Sequence, residues 1–142
     1  MSEEKNRQEA LRWWKQALGD LKAARASRRA GACNWACFQA QQAGEKALKA
    51  CWLFYGAEPW GHSLFKLIDD YPVASLKPGL ASVAAEAKTL DKLYIPTRYP
   101  NGLPDITPDE AYTRKDAAEA IAAAKAVLRV CAGLTLFKGA PR

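Results

Sequence analysis

The segment Gln41-Gln42-Ala43-Gly44-Glu45-Lys46-Ala47-Leu48-Lys49 decides the fold of this chain. Its pattern is helical, yet the helix has almost no outward face. At about 100° per residue, small side chains fall on one side and larger ones on the other, and both sides suit burial. The small set is Ala36, Ala40, Ala43, Ala47 and Ala50, and the opposite set is Phe38, Gln41, Glu45, Leu48 and Trp52. A helix of this kind lies inside a bundle or between two subunits.

The polar residues of this helix need partners, because an unpaired buried charge is costly. A narrow strip stays polar throughout and consists of Gln39, Gln42, Lys46 and Lys49. Glu45 instead occupies the inward face, between Gln41 and Leu48. We expect Lys46 or Lys49 to pair with Glu45 across a helix or subunit interface. The alternative is that these groups line a cleft for a nucleotide or RNA.

Composition predicts one globular domain spanning residues 1–142, of which about 138–142 form a frayed tail. The net charge is +6. No apolar run reaches the roughly 20 residues that cross a bilayer, so no membrane association is expected. The start Met-Ser-Glu-Glu-Lys-Asn is too polar for a signal peptide, which predicts a cytoplasmic protein.

Basic residues cluster at the end of the first predicted helix, at Arg25, Arg28 and Arg29. Two interpretations stay open. Cations in a last helical turn interact favourably with the helix dipole. The same residues also suit a patch that faces phosphate groups.

Metal and cofactor signals are weak. The four cysteines, Cys33, Cys37, Cys51 and Cys131, form no Cys-x-x-Cys motif, and the single histidine is far from them in sequence. Reduced, packed thiols are the expectation, with no metal site and no cofactor. Glycine-rich phosphate loops and hydrolase motifs are also absent from the sequence.

Hydrophobic periodicity predicts an all-α protein, an up-and-down four-helix bundle with an additional short helix and a long Pro-rich loop. The long helices are expected at residues 3–30, 33–55, 79–94 and from about 113 to 136, the short helix at 64–70, and the loop at 96–108. Gly31 and Gly56 end the first two helices. Thr113 and Asp116 resemble a capping box at the start of the last helix.

The inward stripe of the third long helix consists of Leu80, Val83, Ala84, Ala87, Leu90 and Tyr94. Asp91 lies on this stripe and therefore needs a counter-charge. Arg98 follows seven residues later and is the expected partner, since a guanidinium can bind a carboxylate through two hydrogen bonds. His62 is the only imidazole of the chain. Either it or Ser63 can cap the short helix, and its pKa range also suits acid–base chemistry.

Four motifs together resemble the HEPN domain family (higher eukaryotes and prokaryotes nucleotide-binding). They are Ala40-Gln41-Gln42-Ala43-x-Glu45-Lys46-Ala47-Leu48-Lys49-Ala50, Gly61-His62-Ser63-Leu64, Leu90-Asp91-x-x-Tyr94-Ile95-Pro96-Thr97-Arg98-Tyr99-Pro100-Asn101 and Ala111-Tyr112-x-x-x-Asp116-Ala117. The resemblance spans about residues 8–132. It implies a helical bundle that is usually a homodimer, binds nucleotides and often works with a minimal nucleotidyltransferase in a toxin–antitoxin-like pair.

The ribonuclease branch of that family carries an Arg followed, after a few positions, by a His. No histidine follows Arg98 in this chain, and His62 precedes it. The resemblance therefore implies the stand-alone branch with an Arg-Tyr-Pro motif, and enzymatic activity is not expected.

Our first hypothesis is a nucleotide-binding and interaction module without catalysis. Its expected ligand-binding residues are Gln42, Lys46, Lys49, His62, Arg98 and Tyr99, and its structural ion pairs involve Glu45, Asp91 and Arg98. The alternative hypothesis is an RNA-cleaving toxin in which folding brings Arg98 and His62 together. The wide face formed by Phe38, Leu48, Trp52 and Tyr55 is expected to form a homodimer interface.

Overall fold

The computed structural model describes residues 2–135 and 137–141, and within these ranges every regular element is helical. The elements are α1 (Glu3–Arg29), α2 (Cys33–Phe54), α3 (Leu64–Asp69), α4 (Lys77–Ala81), α5 (Ala84–Asp91), α6 (Pro108–Ala111) and α7 (Arg114–Thr135), with a 3₁₀ turn at Pro100–Gly102. The all-α prediction is confirmed.

Helix α2 is the centre of the bundle, because it packs against α1, α7, α3 and α5. Its small side chains explain this position. Ala36, Ala40, Ala43 and Ala47 are fully buried, and residues of that size let neighbouring helices approach closely. On its other side, α2 buries Leu48 in the core of the same chain. The bundle prediction is confirmed. The short helices α3, α4 and α5 occupy the position expected for the third long helix.

That third helix was predicted to run unbroken from 79 to 94, which is wrong. Val83 leaves the helical region of backbone angles (φ −112°, ψ 23°) and separates α4 from α5. The hydroxyl of Ser82 donates to the carbonyl of Gly79 at 2.6 Å, a local bond that competes with the helical ladder. The inward residues Leu80, Val83 and Leu90 are nevertheless all buried.

The predicted Pro-rich loop contains the 3₁₀ turn at Pro100–Gly102 and leads into α6. Asn34 of α2 donates its amide to the carbonyl of Thr97 at 3.0 Å, inside the core. At the far end, Thr107 and Glu110 form a capping box at the start of α6. Thr113 and Asp116 form the predicted reciprocal cap of α7, with bonds of 2.8 and 3.1 Å.

The tail was expected to fray from residue 138, but residues 137–141 pack against the bundle. The ring of Phe137 stacks on Trp14 at 5.1 Å. The indole N–H of Trp14 donates to the carbonyl of Lys138 at 2.8 Å, and Arg129 donates to the carbonyl of Pro141 at the same distance. The aromatic pair and these bonds hold the segment. Arg142, and the predicted helix end at Leu136, lie outside the described residues.

The face proposed for a homodimer is largely covered within the chain. Leu48 has no exposed surface. The indole of Trp52 contacts Tyr71 edge-on and donates to the carbonyl of Leu67 at 2.9 Å. The expectation that this face needs a second subunit was wrong, because α3 and the residues after it supply the missing neighbours. Of the four residues predicted to form this face, only Tyr55 is exposed, at 42%.

In the described part of the chain, no helix combines the length and the apolar character needed to cross a membrane.

Candidate functional site

Glu45 is a buried carboxylate with three neighbours. It accepts from the amide of Gln41 and from the ammonium of Lys49, both at 3.1 Å, and it lies 3.4 Å from Nδ1 of His62. The ion pair with Lys49 lies within one turn of α2 rather than across a helix or subunit interface. The carboxylate therefore has the partners that its burial demands.

A hydrogen-bonded chain of polar groups continues from Glu45 toward α1. The amide of Gln42 donates to the side-chain oxygen of Gln41 at 2.8 Å. Lys46 donates to Gln42 at 3.2 Å and to the carboxylate of Asp20 on α1 at 2.6 Å. Gln42 and Lys46, two of the predicted ligand-binding residues, are thus already engaged within the chain.

His62 and Arg98 meet on the ring of Tyr94. The imidazole stacks on that ring at 4.7 Å between centroids, with 16° between planes. The guanidinium carbon of Arg98 lies 4.8 Å from the same centroid. Both groups therefore contact the same ring, and their centres lie within about 10 Å of each other.

Arg98 is positioned by aromatic rings and one backbone bond. Its guanidinium lies 4.2 Å from the centre of Phe38 and 5.2 Å from that of Tyr99, and its Nε donates to the carbonyl of Tyr94 at 2.9 Å. No carboxylate among the described residues forms a salt bridge with it. We call Phe38, His62, Tyr94, Arg98 and Tyr99 the Tyr94 cluster.

The predicted ion pair between Asp91 and Arg98 does not form among the described residues. The Asp91 carboxylate instead accepts from the hydroxyl of Ser63 at 2.7 Å and from the backbone N–H groups of Leu64 and Phe65 at 2.6 and 3.1 Å. The first N–H groups of a helix have no partner within it, and they favour a negative charge. Asp91 therefore finds its partners at the start of α3.

Ser63, and not His62, caps the same helix. Its hydroxyl oxygen accepts from the backbone N–H of Lys66 at 3.1 Å. This leaves the imidazole of His62 to contact Glu45 and Tyr94, with 58% of its side chain exposed.

The predicted ligand-binding residues fall into two groups. The structure brings His62, Arg98 and Tyr99 to the Tyr94 cluster. Lys46 instead lines an open pocket of about 620 Å³ on α1, together with Glu9, Arg12, Trp13, Lys15 and Gln16. Lys49 lies between the groups, because it binds Glu45 and sits 5.7 Å from the ring centre of Trp13.

Phe38 and Tyr94 are cluster residues that the sequence interpretation did not assign to a site. Phe38 was placed on a dimer face, and Tyr94 on the inward stripe of a helix. The available signal was the four-residue spacing of Tyr94 and Arg98, which lets the arginine fold back onto the ring. The break of the helix after Asp91 hides that signal.

The thiols are not candidates for nucleophilic chemistry. All four cysteines are free and buried. Burial raises the pKa of Cys37 to about 12, and burial also raises that of Cys131, so these two thiols stay protonated at neutral pH. Across the described residues, no three His, Cys, Asp or Glu side chains gather as a metal site would require.

A family model described as the HEPN domain matches residues 10–134. The chain belongs to the HEPN family. Among functionally curated proteins, none matches it.

Solved structures resemble this HEPN chain over most of its length. The protein TT1696 from Thermus thermophilus is 39% identical with a TM-score of 0.81, and the match covers 88% of this chain and 97% of that one. ST0689, an archaeal HEPN homologue, is 37% identical with a TM-score of 0.74, covering 89% and 97%. A HEPN domain protein (tm0613) from Thermotoga maritima is 29% identical with a TM-score of 0.63, covering 87% and 96%.

Proposed function

We propose that this HEPN protein is a non-catalytic module that binds a nucleotide or RNA at the Tyr94 cluster. The observation that carries the proposal is the position of Arg98, a guanidinium held over three rings without a carboxylate partner in the described part of the chain. A guanidinium fixed in this way can bind a phosphate through two hydrogen bonds.

Exposed aromatic rings beside Arg98 suit the base of the same ligand. Tyr99 is 49% exposed and Trp35 is 47% exposed. Trp35 contacts Phe38 edge-on at 6.1 Å, which joins it to the cluster. Bases stack on such rings with little sequence preference. The site would therefore combine a cation for phosphate with flat surfaces for a base.

We further propose that the module forms a homodimer and pairs with a minimal nucleotidyltransferase, as in a toxin–antitoxin-like system. Family resemblance supports the partner. The dimer is supported by the exposed apolar side chain of Ile95, which we take as part of its contact in place of the face around Leu48. The pair would act in the cytoplasm, where nucleotides and RNA are found. Co-purification from the native host tests the partner, and light scattering of Ile95→Asp tests the dimer.

Titration calorimetry with ATP, GTP and a short RNA tests the ligand. Arg98→Ala should weaken binding about tenfold or more, as expected for loss of a charge-assisted hydrogen bond. Arg12→Ala is the matched control, since this arginine is 78% exposed on α1 and distant in sequence from the cluster. If none of the three ligands binds at millimolar concentration, only the partner role is left.

Ribonuclease activity is the second candidate, and the shared contact of His62 and Arg98 with Tyr94 favours it. Folding has brought these groups together although no histidine follows Arg98. In this case the protein would cleave labelled RNA in the presence of EDTA, and His62→Ala would slow cleavage about 100-fold or more. Arg12→Ala should cleave normally. Absence of cleavage by the unmodified protein excludes this activity.

A further inference from the structure

A second basic surface lies between the C-terminal half of α1 and the N-terminal half of α7. It is a groove of about 310 Å³ lined by Arg25, Arg28, Arg29 and Lys125, with Ala118, Ile121 and Ala122 forming its floor. We call it the basic groove. It shares no residue and no helix with the Tyr94 cluster.

Two arginines at the edge of the basic groove hold each other in place. Nε of Arg28 donates to the carbonyl of Arg114 at 3.0 Å, and the Arg114 guanidinium donates to the carbonyl of Arg28 at 2.9 Å. Gly31, with a φ of +82°, turns the chain beside them, and a Cβ on it would lie 4.0 Å from Arg114. The backbone therefore holds both guanidinium groups at the edge of the groove.

The cations of the basic groove lack acidic partners. The ion pairs of the described residues include none of Arg25, Arg28, Arg29, Arg114 and Lys125. The helix dipole explains Arg28 and Arg29, which lie in the last turn of α1. Arg114 is explained in the same way, since it donates to the carbonyl of Arg28 at that end of α1. The dipole does not explain Arg25 and Lys125, which lie outside this turn.

We propose that the basic groove binds the phosphate backbone of a nucleic acid. Guanidinium groups fit phosphate oxygens and lose less hydration than ammonium groups on binding. A protein partner is a poorer fit, since protein interfaces have an apolar core with aromatic residues, whereas no aromatic residue lines this groove. Phosphate contacts need only spaced cations and are independent of sequence.

The proposal stands independently of the ligand at the Tyr94 cluster. A nucleic acid in the groove would be held by its backbone alone, whereas the cluster offers rings for a base. We therefore expect the binding affinities at the two surfaces to depend differently on salt concentration. Binding in the groove should weaken steeply as salt rises, because it releases counterions from the nucleic acid.

Fluorescence anisotropy with a labelled oligouridine RNA tests the basic groove at several salt concentrations. The groove variant is Arg25→Gln with Lys125→Gln, and the control with equal charge change is Lys66→Gln with Lys88→Gln, both exposed on the α3 and α5 side. The groove variant should bind about tenfold or more weakly, and the slope of log affinity against log salt should fall by about 1 to 2. Circular dichroism checks that both variants fold.

The other outcomes overturn the proposal. Equal weakening in the two double variants would show that net charge alone attracts RNA. Unchanged binding in the groove variant would place RNA elsewhere, and loss of RNA binding by Arg98→Ala alone would assign it to the Tyr94 cluster. If the unmodified protein binds polyglutamate but not RNA, the partner is an acidic protein. Calorimetry with ATP on the groove variant keeps the two sites apart, since that affinity should not change.

Discussion

Glu45 shows how a helix that is buried on two sides accommodates charge. Glu45 is 4% exposed, and its carboxylate is bonded to Gln41 and Lys49 on its own helix. This pairing within one turn needs no contribution from another helix. The remaining contact, with His62, joins this pair to the Tyr94 cluster.

Removing the Glu45 charge should therefore strand Lys49. We expect Glu45→Gln to lower the free energy of unfolding by about 3 kcal/mol, the usual cost of breaking a buried pair. Lys49→Met in the same chain should recover most of that loss, because the unpaired ammonium is gone. Urea denaturation of the unmodified protein, the two single variants and the double variant measures the coupling energy between Glu45 and Lys49. If the two changes are additive, the pair contributes no stability.

Asp91 and Arg98 should behave as independent residues, since one caps α3 and the other lies on aromatic rings. Asp91→Asn should cost about 1 to 2 kcal/mol, as for the loss of a helix cap. Arg98→Ala should cost about 0.5 to 1 kcal/mol, the value of a partly exposed cation–π contact. The double variant should lie within about 0.5 kcal/mol of the sum. A larger coupling in chemical denaturation would restore the ion pair predicted from sequence.

At the scale of elements, sequence periodicity locates both ends of α1 and α2, and the start of α7, to within a residue or two. Each has a long inward stripe and a clear end, such as Gly31 after α1 and the capping box before α7. The break at Val83 escapes prediction, because the inward spacing of Leu80, Val83 and Ala87 is the same in a continuous and in a broken helix. Burial follows the stripe in either case, so it does not reveal the break.

The candidate site was predictable only in part. Arg98, Tyr99 and His62 follow from their motifs, and the structure brings them together. Their meeting point on Tyr94 depends on how the loop after α5 turns back, which no local pattern specifies. The predicted partner of Asp91 failed for a similar reason. A buried carboxylate can be expected from its charge to need a partner. The partners of Asp91 are backbone N–H groups, which occur in every chain and leave no signal in the sequence.

Helix packing around α2 makes Gly44 a position where a single methyl group matters. A Cβ there would lie 2.6 Å from Cδ2 of Leu64 and 3.0 Å from Cδ1 of Leu90, both fully buried. Gly44→Ala gains about 1 kcal/mol in helix propensity, but overpacking costs about 1–3 kcal/mol. We expect a net loss of about 1 kcal/mol in thermal or urea unfolding.

Gly19→Ala is the matched control for that substitution. Gly19 lies within α1, is exposed, and a Cβ there meets only Gln16 at an ordinary 3.5 Å. The same change should therefore stabilise the protein by about 1 kcal/mol, from propensity alone. Equal effects at the two glycines would show that Leu64 and Leu90 move aside without cost.

At the scale of the whole molecule, the core buries acids that ionise only at high pH. Burial raises the pKa of the Cys37 thiol from 9.0 to about 12, with smaller contributions from Asp116 and Cys33. Burial also raises the pKa values of Tyr71 and Cys131. As the pH rises, these groups therefore stay protonated in the folded state after they have begun to lose their protons in the unfolded chain.

The protein should therefore lose stability as the solution becomes alkaline. Below pH 9 the Cys37 thiol is protonated in both states, so its contribution is complete; between pH 9 and about 12 only the unfolded chain releases the proton. In that window the free energy of unfolding should fall by up to about 1.4 kcal/mol per pH unit for each such group. Urea denaturation from pH 7.5 to 10.5 measures the slope, and Cys37→Ala should make it shallower because one titrating group is removed. An identical slope in the variant would mean that the Cys37 thiol ionises as readily in the folded core as in the unfolded chain.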